Sequence, residues 1–408
     1  PMTTPAPLSL PVTYDLTCAA LPHIRANLDV TPLSRSIGLS AITGRDVHLK
    51  WDNKLITGSF KERGAVNFLC HLREAGAVPA VCAASAGNHA LGLSFHAKRF
   101  GVRCVLVMPK SAPLVKVQSC ERNGAEIILF GDTFNDAFTH AQELCAAKGY
   151  TFIPPFNHPL IIAGQASVAH ELLEQSADFD SVIVPVGGGG LLSGMITVLR
   201  AMRPDVYIMG VQSSWAVMYR DSGWSGLPKL QPMTIADGIA VKQLGDITGP
   251  IIKAGADKLV SVNEQETAAA LIQFLEREHA VVEGSAAVTL AALNAGHLPG
   301  RYKKPVLMVS GSNIDVNLLA RLLGREMSQR DRLLRLRASL PDRPGVLHFL
   351  SGVIANEGAN VLEVTHDRSF AREPGNVEIT LVLEIRDAAQ KGRIISLLET
   401  SGIPVSVL

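Results

Sequence analysis

Short apolar runs rich in β-branched residues alternate with longer amphipathic stretches over the first three quarters of the chain. "VHLKW" (47–51) is followed by "SFKERGAVNFLCHLREAG", "AVCAAS", "NHALGLSFHAKRFG" and "RCVLVMP". The short runs have the length of buried strands and the longer stretches the period of helices, so the order reads β-α-β-α-β. The same rhythm returns at "EIILF" (126–130), "DSVIVPV" (180–186), "YIMGVQ" (207–212) and "PVLMVSG" (305–311). Strands that alternate with helices form parallel sheets covered on both faces. The pattern therefore predicts one open α/β body of two lobes, reaching about residue 325. In such sheets ligands lie beyond the carboxyl ends of the strands, so the loops after these runs are where chemistry is expected.

The pattern changes after "LARLLGREMSQRD", which reads as a helix leading into a linker. From there the chain runs strand, helix, strand, strand, helix, strand, the split order of a ferredoxin-like unit. The expected division is a body over 1–325, with a small lobe over roughly 53–155, a linker over 326–331 and a separate domain over 332–408.

Composition narrows the class. With 408 residues, 47% hydrophobic and 18% charged, the chain can bury a large core and divide into two or three domains. A net charge of +1 provides no basic field, so nucleic acid is not an expected partner. Cys18, Cys70, Cys82, Cys104, Cys120 and Cys145 form no C-x-x-C pair and no zinc-type cluster, and read as the reduced thiols of a cytoplasmic protein. No apolar span of 18 residues or signal peptide is seen, so no membrane is expected; Pro1 ahead of Met2 reads as a cloning remnant.

Four places carry candidate chemistry. In "TGSFKERGAVNF" (57–68), Lys61 follows a Gly-Ser-Phe turn and opens a helix. A helix N-terminus disfavours an ammonium, which makes Lys61 a candidate amine nucleophile. Most lysines near helix ends are solvated surface charges, and the neighbouring Glu62 and Arg63 suggest an exposed turn. In "SVIVPVGGGGLLSG" a buried strand leads through Gly187, Gly188, Gly189 and Gly190 into a helix. Successive backbone N–H groups and the helix dipole suit a phosphate there. The loop has no Gly-Lys-Ser/Thr, and Leu192 stands where a G-x-G-x-x-G pattern needs its third glycine. A plain tight turn is the alternative. In "AASAGNHALG" (83–92), Ser85, Asn88 and the N–H groups of a helix start could hold a carboxylate or a phenolic oxygen, or simply cap the helix; His89 reads as structural. In "VLMVSGSNID" (306–315) a strand delivers Ser310 to a glycine turn without a nucleophile elbow, so it reads as a hydrogen-bonding serine or a turn residue.

An amine, a phosphate cradle, a carboxylate loop and a lone hydroxyl are together what a pyridoxal phosphate enzyme needs. "TGSFKERGA", "SAGNHALG", "IAGQ", "PVGGGGLLSG", "IADGIAV", "EGSAA" and "SGSNID" stand in the order and spacing of the fold-type II pyridoxal phosphate enzymes, the two-lobed tryptophan synthase β-like fold. The chain most resembles the threonine dehydratases (threonine ammonia-lyases) over about residues 15–325. Its tail, through "LPDRPGVL" and "GANVLEVTHDR", is similar to the ACT regulatory domain. The resemblance implies pyridoxal 5'-phosphate bound through Lys61 as a Schiff base, with Phe60 on the ring and Asn88 on the ring hydroxyl. It implies that Gly187–Gly190 and Leu191 hold the phosphate and that Ser310 faces the pyridine nitrogen. Ser85, Ala86, Asn88 and His89 would meet the amino-acid substrate, and the assembly would be a homo-oligomer, dimer or tetramer.

By the same resemblance Lys61 removes the α-proton and loss of the β-hydroxyl leads to a 2-oxo acid and ammonia, from L-threonine or L-serine. Another 3-hydroxy amino acid such as 3-hydroxyaspartate stays open. Serine racemases pair the lysine with a serine where this chain has Ala86, and Gln212 and Met218 fall at their metal carboxylates, so a metal-dependent racemase is disfavoured. Ser312, where glycine is usual, and "AGQAS" in place of "AGQGT" are further departures. A β-replacing synthase and a non-catalytic amino-acid sensor are the other readings. An effector such as isoleucine or valine is expected at Pro344 and Gly345, with simple subunit pairing through the tail as the alternative.

Overall fold

Contacts in the computed structural model, which describes residues 11–76, 79–215, 234–369 and 375–408, separate two compact units, Pro1–Ile314 and Asp315–Leu408. In the first, the apolar runs become strands of two sheets. One sheet holds β1 (Leu33–Arg35), β2 (His48–Trp51), β7 (Ser181–Pro185), β8 (Tyr207–Ser213), β9 (Lys258–Val262) and β10 (Pro305–Val309), in the order β1-β2-β10-β7-β8-β9. Only β1 pairs antiparallel; every other ladder is parallel. The other sheet holds β3 (Val81–Ala84), β4 (Cys104–Met108), β5 (Glu126–Leu129) and β6 (Thr151–Phe152), all parallel, in the order β5-β4-β3-β6. Every residue of β3, β4, β7 and β10 is buried, as expected of parallel strands with helices on both faces. Three strands lie outside the apolar runs read from the sequence, and all are edges: β1, β9 and the two-residue β6. β1 has three residues, and β9, "KLVSV", buries only Val260 and Val262.

The helix Lys61–Glu74 is locked at its first turn by charges that a local reading places on the surface. Glu62 and Arg63 are fully buried, which corrects the expected exposed turn. Arg63 donates through Nε and Nη2 to Asp52 (2.8 and 2.9 Å) and through Nη1 and Nη2 to Glu171 (2.6 and 2.9 Å). Lys50 Nζ donates to the same Glu171 at 2.7 Å. Two cations thus face two carboxylates, which is the condition for burying them. Glu62 accepts from the Thr57 hydroxyl (2.7 Å) and faces His96 Nε2 at 2.7 Å. The residues flanking Lys61 tie its helix to the turn Asp52–Lys54 that follows β2, to the helix Pro159–Gln175 and to the helix Asn88–Arg99.

In the second unit, β11 (Leu333–Pro341), β12 (Asn360–Asp367), β13 (Asn376–Glu384) and β14 (Val405–Val407) form an antiparallel sheet in the order β12-β13-β11-β14. With the helices Val346–Asn356 and Ala388–Thr400 the chain order is β-α-β-β-α-β. Alternate residues of β11 and β13 are buried, so one face of the sheet carries the core. Most of the expected linker is helical: Val316–Gln329 is one helix capped by Asp315, and Asp331, at φ 51°, turns the chain into β11. An amphipathic stripe from Val316 onward carries the helix past residue 326. Among the described residues no helix is long and apolar enough to cross a membrane.

Candidate active site

Lys61 is the first residue of its helix and is half-buried, following Phe60. Its Nζ donates to the carbonyl of Pro155 at 2.9 Å and stands 5.1 Å from the Phe60 ring centroid. Burial lowers its pKa to about 8, against the opposing pull of Glu283. The amine therefore sheds its proton far more readily than a surface lysine.

The glycine loop lies beside it. β7 ends at Pro185 and the helix Gly190–Met202 begins five residues on, with Gly189 at φ 92° as its N-cap and no side chain capping it. Glycine is dictated here by crowding as well as by φ. A Cβ on Gly188 would stand 2.3 Å from the Phe156 ring, and one on Gly187 would stand 2.9 Å from the Ile239 Cα. The loop backbone is held by Thr248, whose hydroxyl donates to the Gly188 carbonyl at 2.6 Å. Unpaired N–H groups at the helix start are an anion site, and the cleft they line also carries Phe60, Lys61, Asn88 and Ser310.

Asn88 opens its helix, and its amide is spoken for on both sides. Nδ2 donates to Glu283 at 2.8 and 3.0 Å, and Oδ1 accepts from Asn313 Nδ2 at 2.7 Å. Ser310 follows β10, where its carbonyl accepts from the Phe60 N–H at 3.0 Å; next to it Gly311 and Ser59 form an isolated bridge. The Lys61 turn and the Ser310 turn are thereby built against one another. Ser85 and Ala86 are half-buried on the loop before Asn88, where the Ser85 hydroxyl accepts from the Gly87 N–H at 3.3 Å. His89 is buried and its Nε2 faces the Ile153 carbonyl at 3.0 Å. Burial and the nearby Lys61 push its pKa down to about 4, so it stays neutral.

Two polar cleft residues escaped the sequence reading. Glu283 is 3% exposed, and burial raises its pKa to about 7 although Asn88 bonds it. Ser285 is buried and its hydroxyl has no partner among the described residues. Both belong to "EGSAA", whose acidic residue before an apolar helix reads as an ordinary N-cap. The Glu283 side chain caps nothing and turns instead to Asn88. Gln212 is buried in β8 and Met218 lies outside the described residues.

Residues 24–311 match the family described as pyridoxal-phosphate dependent enzyme. The chain belongs to that family. The L-threonine ammonia-lyase of Thermotoga maritima is 40% identical over 384 residues, 93% of this chain and 95% of that protein. The L-threonine ammonia-lyase of Geobacter sulfurreducens is 37% identical, covering 97% of this chain and 99% of that protein. Among solved structures, a serine racemase from Dictyostelium discoideum has a TM-score of 0.68 at 31% identity, covering 75% of this chain and 99% of that one. The processed threonine deaminase isoform 2 of Solanum lycopersicum has a TM-score of 0.67 at 30% identity, covering 76% and 93%.

This pyridoxal-phosphate dependent enzyme has donors that fit its cofactor. The cradle that a Cβ would crowd has the backbone chemistry to suit a phosphate, a perturbed amine stands beside it, and the buried hydroxyl of Ser285 has no partner among the described residues.

Proposed function

We propose that the enzyme is an L-threonine ammonia-lyase, acting also on L-serine and releasing a 2-oxo acid and ammonia. What carries the reading is a perturbed amine, Lys61, beside an anion cradle, on a chain similar along nearly its whole length to L-threonine ammonia-lyases. The N–H groups of Gly187–Gly190 and Leu191 would hold the phosphate, Phe60 the ring, Asn88 the ring oxygen and Ser310 the pyridine nitrogen. When bound, the cofactor supplies an electron sink that acidifies the substrate Cα–H. Lys61 Nζ then takes that proton, being easier to deprotonate than an exposed lysine. Ser85 and the N–H groups at the start of the Asn88 helix orient the substrate carboxylate. Neutral His89, held at the Ile153 carbonyl, packs this wall without exchanging protons.

Elimination needs one base; racemisation needs a second proton donor on the other side of the carbanion, and Ala86 offers none. Threonine, serine and 3-hydroxyaspartate incubations, followed by oxo-acid detection and chiral analysis, are expected to give oxo acid from threonine or serine and little D-isomer. Ala86→Ser should raise the racemised fraction. D-serine formed faster than pyruvate would turn the reading toward a racemase, and turnover of 3-hydroxyaspartate alone toward a different dehydratase.

We further propose that residues 332–408 are an ACT-like regulatory domain that binds an amino acid such as isoleucine or valine. Supporting this is a pocket of about 340 Å³ within the second unit, bordered by Pro344, Gly345, His366 and Arg368. Gly345, at φ 90°, starts the helix Val346–Asn356 with no side-chain cap, leaving N–H groups for a carboxylate. Effector titration is expected to shift substrate affinity or cooperativity by about 1–3 kcal/mol of coupling. A chain shortened to residue 330 should remain active and unresponsive. The edge strand β12 exposes Leu362 and Val364, which favours subunit pairing as a second reading. If no amino acid alters activity and shortening changes only the oligomeric state, that second reading holds.

A further inference from the structure

The carboxyl group of Glu283 is unusually placed for a residue that neither caps a helix nor pairs with a cation. Its backbone N–H is fixed to the Gly311 carbonyl at 3.1 Å, and a Cβ on Gly311 would stand 2.5 Å from Oε1, so the side chain has one place to go. There it meets Asn88, 195 positions away in the sequence. An amide can present either its oxygen or its nitrogen to a site. With Asn313 donating to Oδ1 and Glu283 accepting from Nδ2, Asn88 has only one orientation.

We propose that Glu283 is a positioning residue for the ring edge of the cofactor, holding the Asn88 amide nitrogen toward the site, and that its protonation sets how tightly pyridoxal phosphate is held. This rests on the reading of the cleft as the pyridoxal phosphate site. Ionised, Glu283 takes Asn88 Nδ2 with both oxygens and adds a negative charge beside an anionic ligand. Protonated, it keeps one acceptor for the same Asn88 hydrogen and removes the charge. The groups that act on it are Lys61 from its helix, Lys116 from the helix Leu114–Arg122, Asp237 from the turn Asp237–Ile239 and the Asn313 backbone N–H. Lys116 and Asp237 pair at 2.9 Å near the surface.

The sign of the stability effect follows from linkage. A carboxyl at about 7 when folded and 4.5 when unfolded holds an extra proton in the folded state between those values. Stability contributed by the protonated form is therefore lost as pH rises through that window. Thermal melts of the cofactor-free protein across this range should show a decline in wild type that is absent from Glu283→Gln.

The deciding experiment titrates the cofactor-free protein with pyridoxal phosphate at pH 6, 7 and 8.5, in wild type, Glu283→Gln, Asn88→Ala and the double variant. The ratio of wild-type to Glu283→Gln dissociation constants is expected to rise about three- to tenfold from pH 6 to 8.5, a coupling of half to one pKa unit. In the Asn88→Ala background that rise should shrink, since the amide that transmits it is gone. Two surface variants guard against a misfolded Glu283→Gln. Asp237→Asn should move the melting transition to lower pH and Lys116→Ala to higher pH. A flat ratio, an undiminished rise without Asn88, or identical shifts in both surface variants overturns the inference. Wild type that fails to bind pyridoxal phosphate at all overturns the site reading instead.

Discussion

Replacing Lys61 with alanine is expected to abolish the borohydride-reducible adduct between the protein and pyridoxal phosphate. Turnover should fall by several orders of magnitude at the same time. The size of the effect follows from the double duty of one atom. Lys61 Nζ is both the amine that would join the cofactor and the base that would take the substrate's Cα proton, and groups that act as one unit fail together. No second group among the described cleft residues can substitute. His89 is neutral and engaged at Ile153, and Glu283 is engaged by Asn88. Folding should survive, because the helix is anchored by Arg63 and Glu62 and because removing a buried amine relieves desolvation. Mass spectrometry of the reduced protein and oxo-acid release check the prediction together. An unchanged adduct on another lysine would reassign the nucleophile.

Gly188→Asp should abolish cofactor binding while leaving most of the fold in place. The new Cβ would press on the Phe156 ring at 2.3 Å, and the added carboxylate would stand where an anion is to be received. Phe156 must swing aside, which narrows the cradle, and like charges at a helix N-terminus forfeit the favourable dipole interaction. Pyridoxal phosphate affinity is expected to fall by at least about a hundredfold, equivalent to some 3 kcal/mol. Absorbance titration measures it, and circular dichroism confirms the folded state. Wild-type affinity in a folded variant would place the phosphate elsewhere.

Much of this site is legible along the chain because its parts are local. Apolar runs of strand length, each followed by a glycine or serine turn and an amphipathic helix, specify where a parallel sheet ends. The turns at Lys61, Ser85–Asn88, Gly187–Gly190 and Ser310 all occur at such ends or helix starts. The ferredoxin-like order of the tail is legible for the same reason, since each element carries its own period. Edge strands are less so: β1 and β9 bury too little apolar surface to leave a pattern.

What the sequence by itself determined was the set of loops and their backbone chemistry: a glycine run that can bare N–H groups, and a lysine at a helix start. Only the tertiary structure decided what the charges do. Glu62 and Arg63 look like solvated residues until Asp52, Glu171 and His96 arrive from other elements and make their burial affordable. Lys61 owes its lowered pKa to burial, with Glu283 opposing it, and not to the helix end that first singles it out. Glu283 becomes part of the site only because packing brings it to Asn88. The physical reason is common to all three: the cost of a buried charge depends on distant partners and on excluded water, and neither is written in the residues next to it.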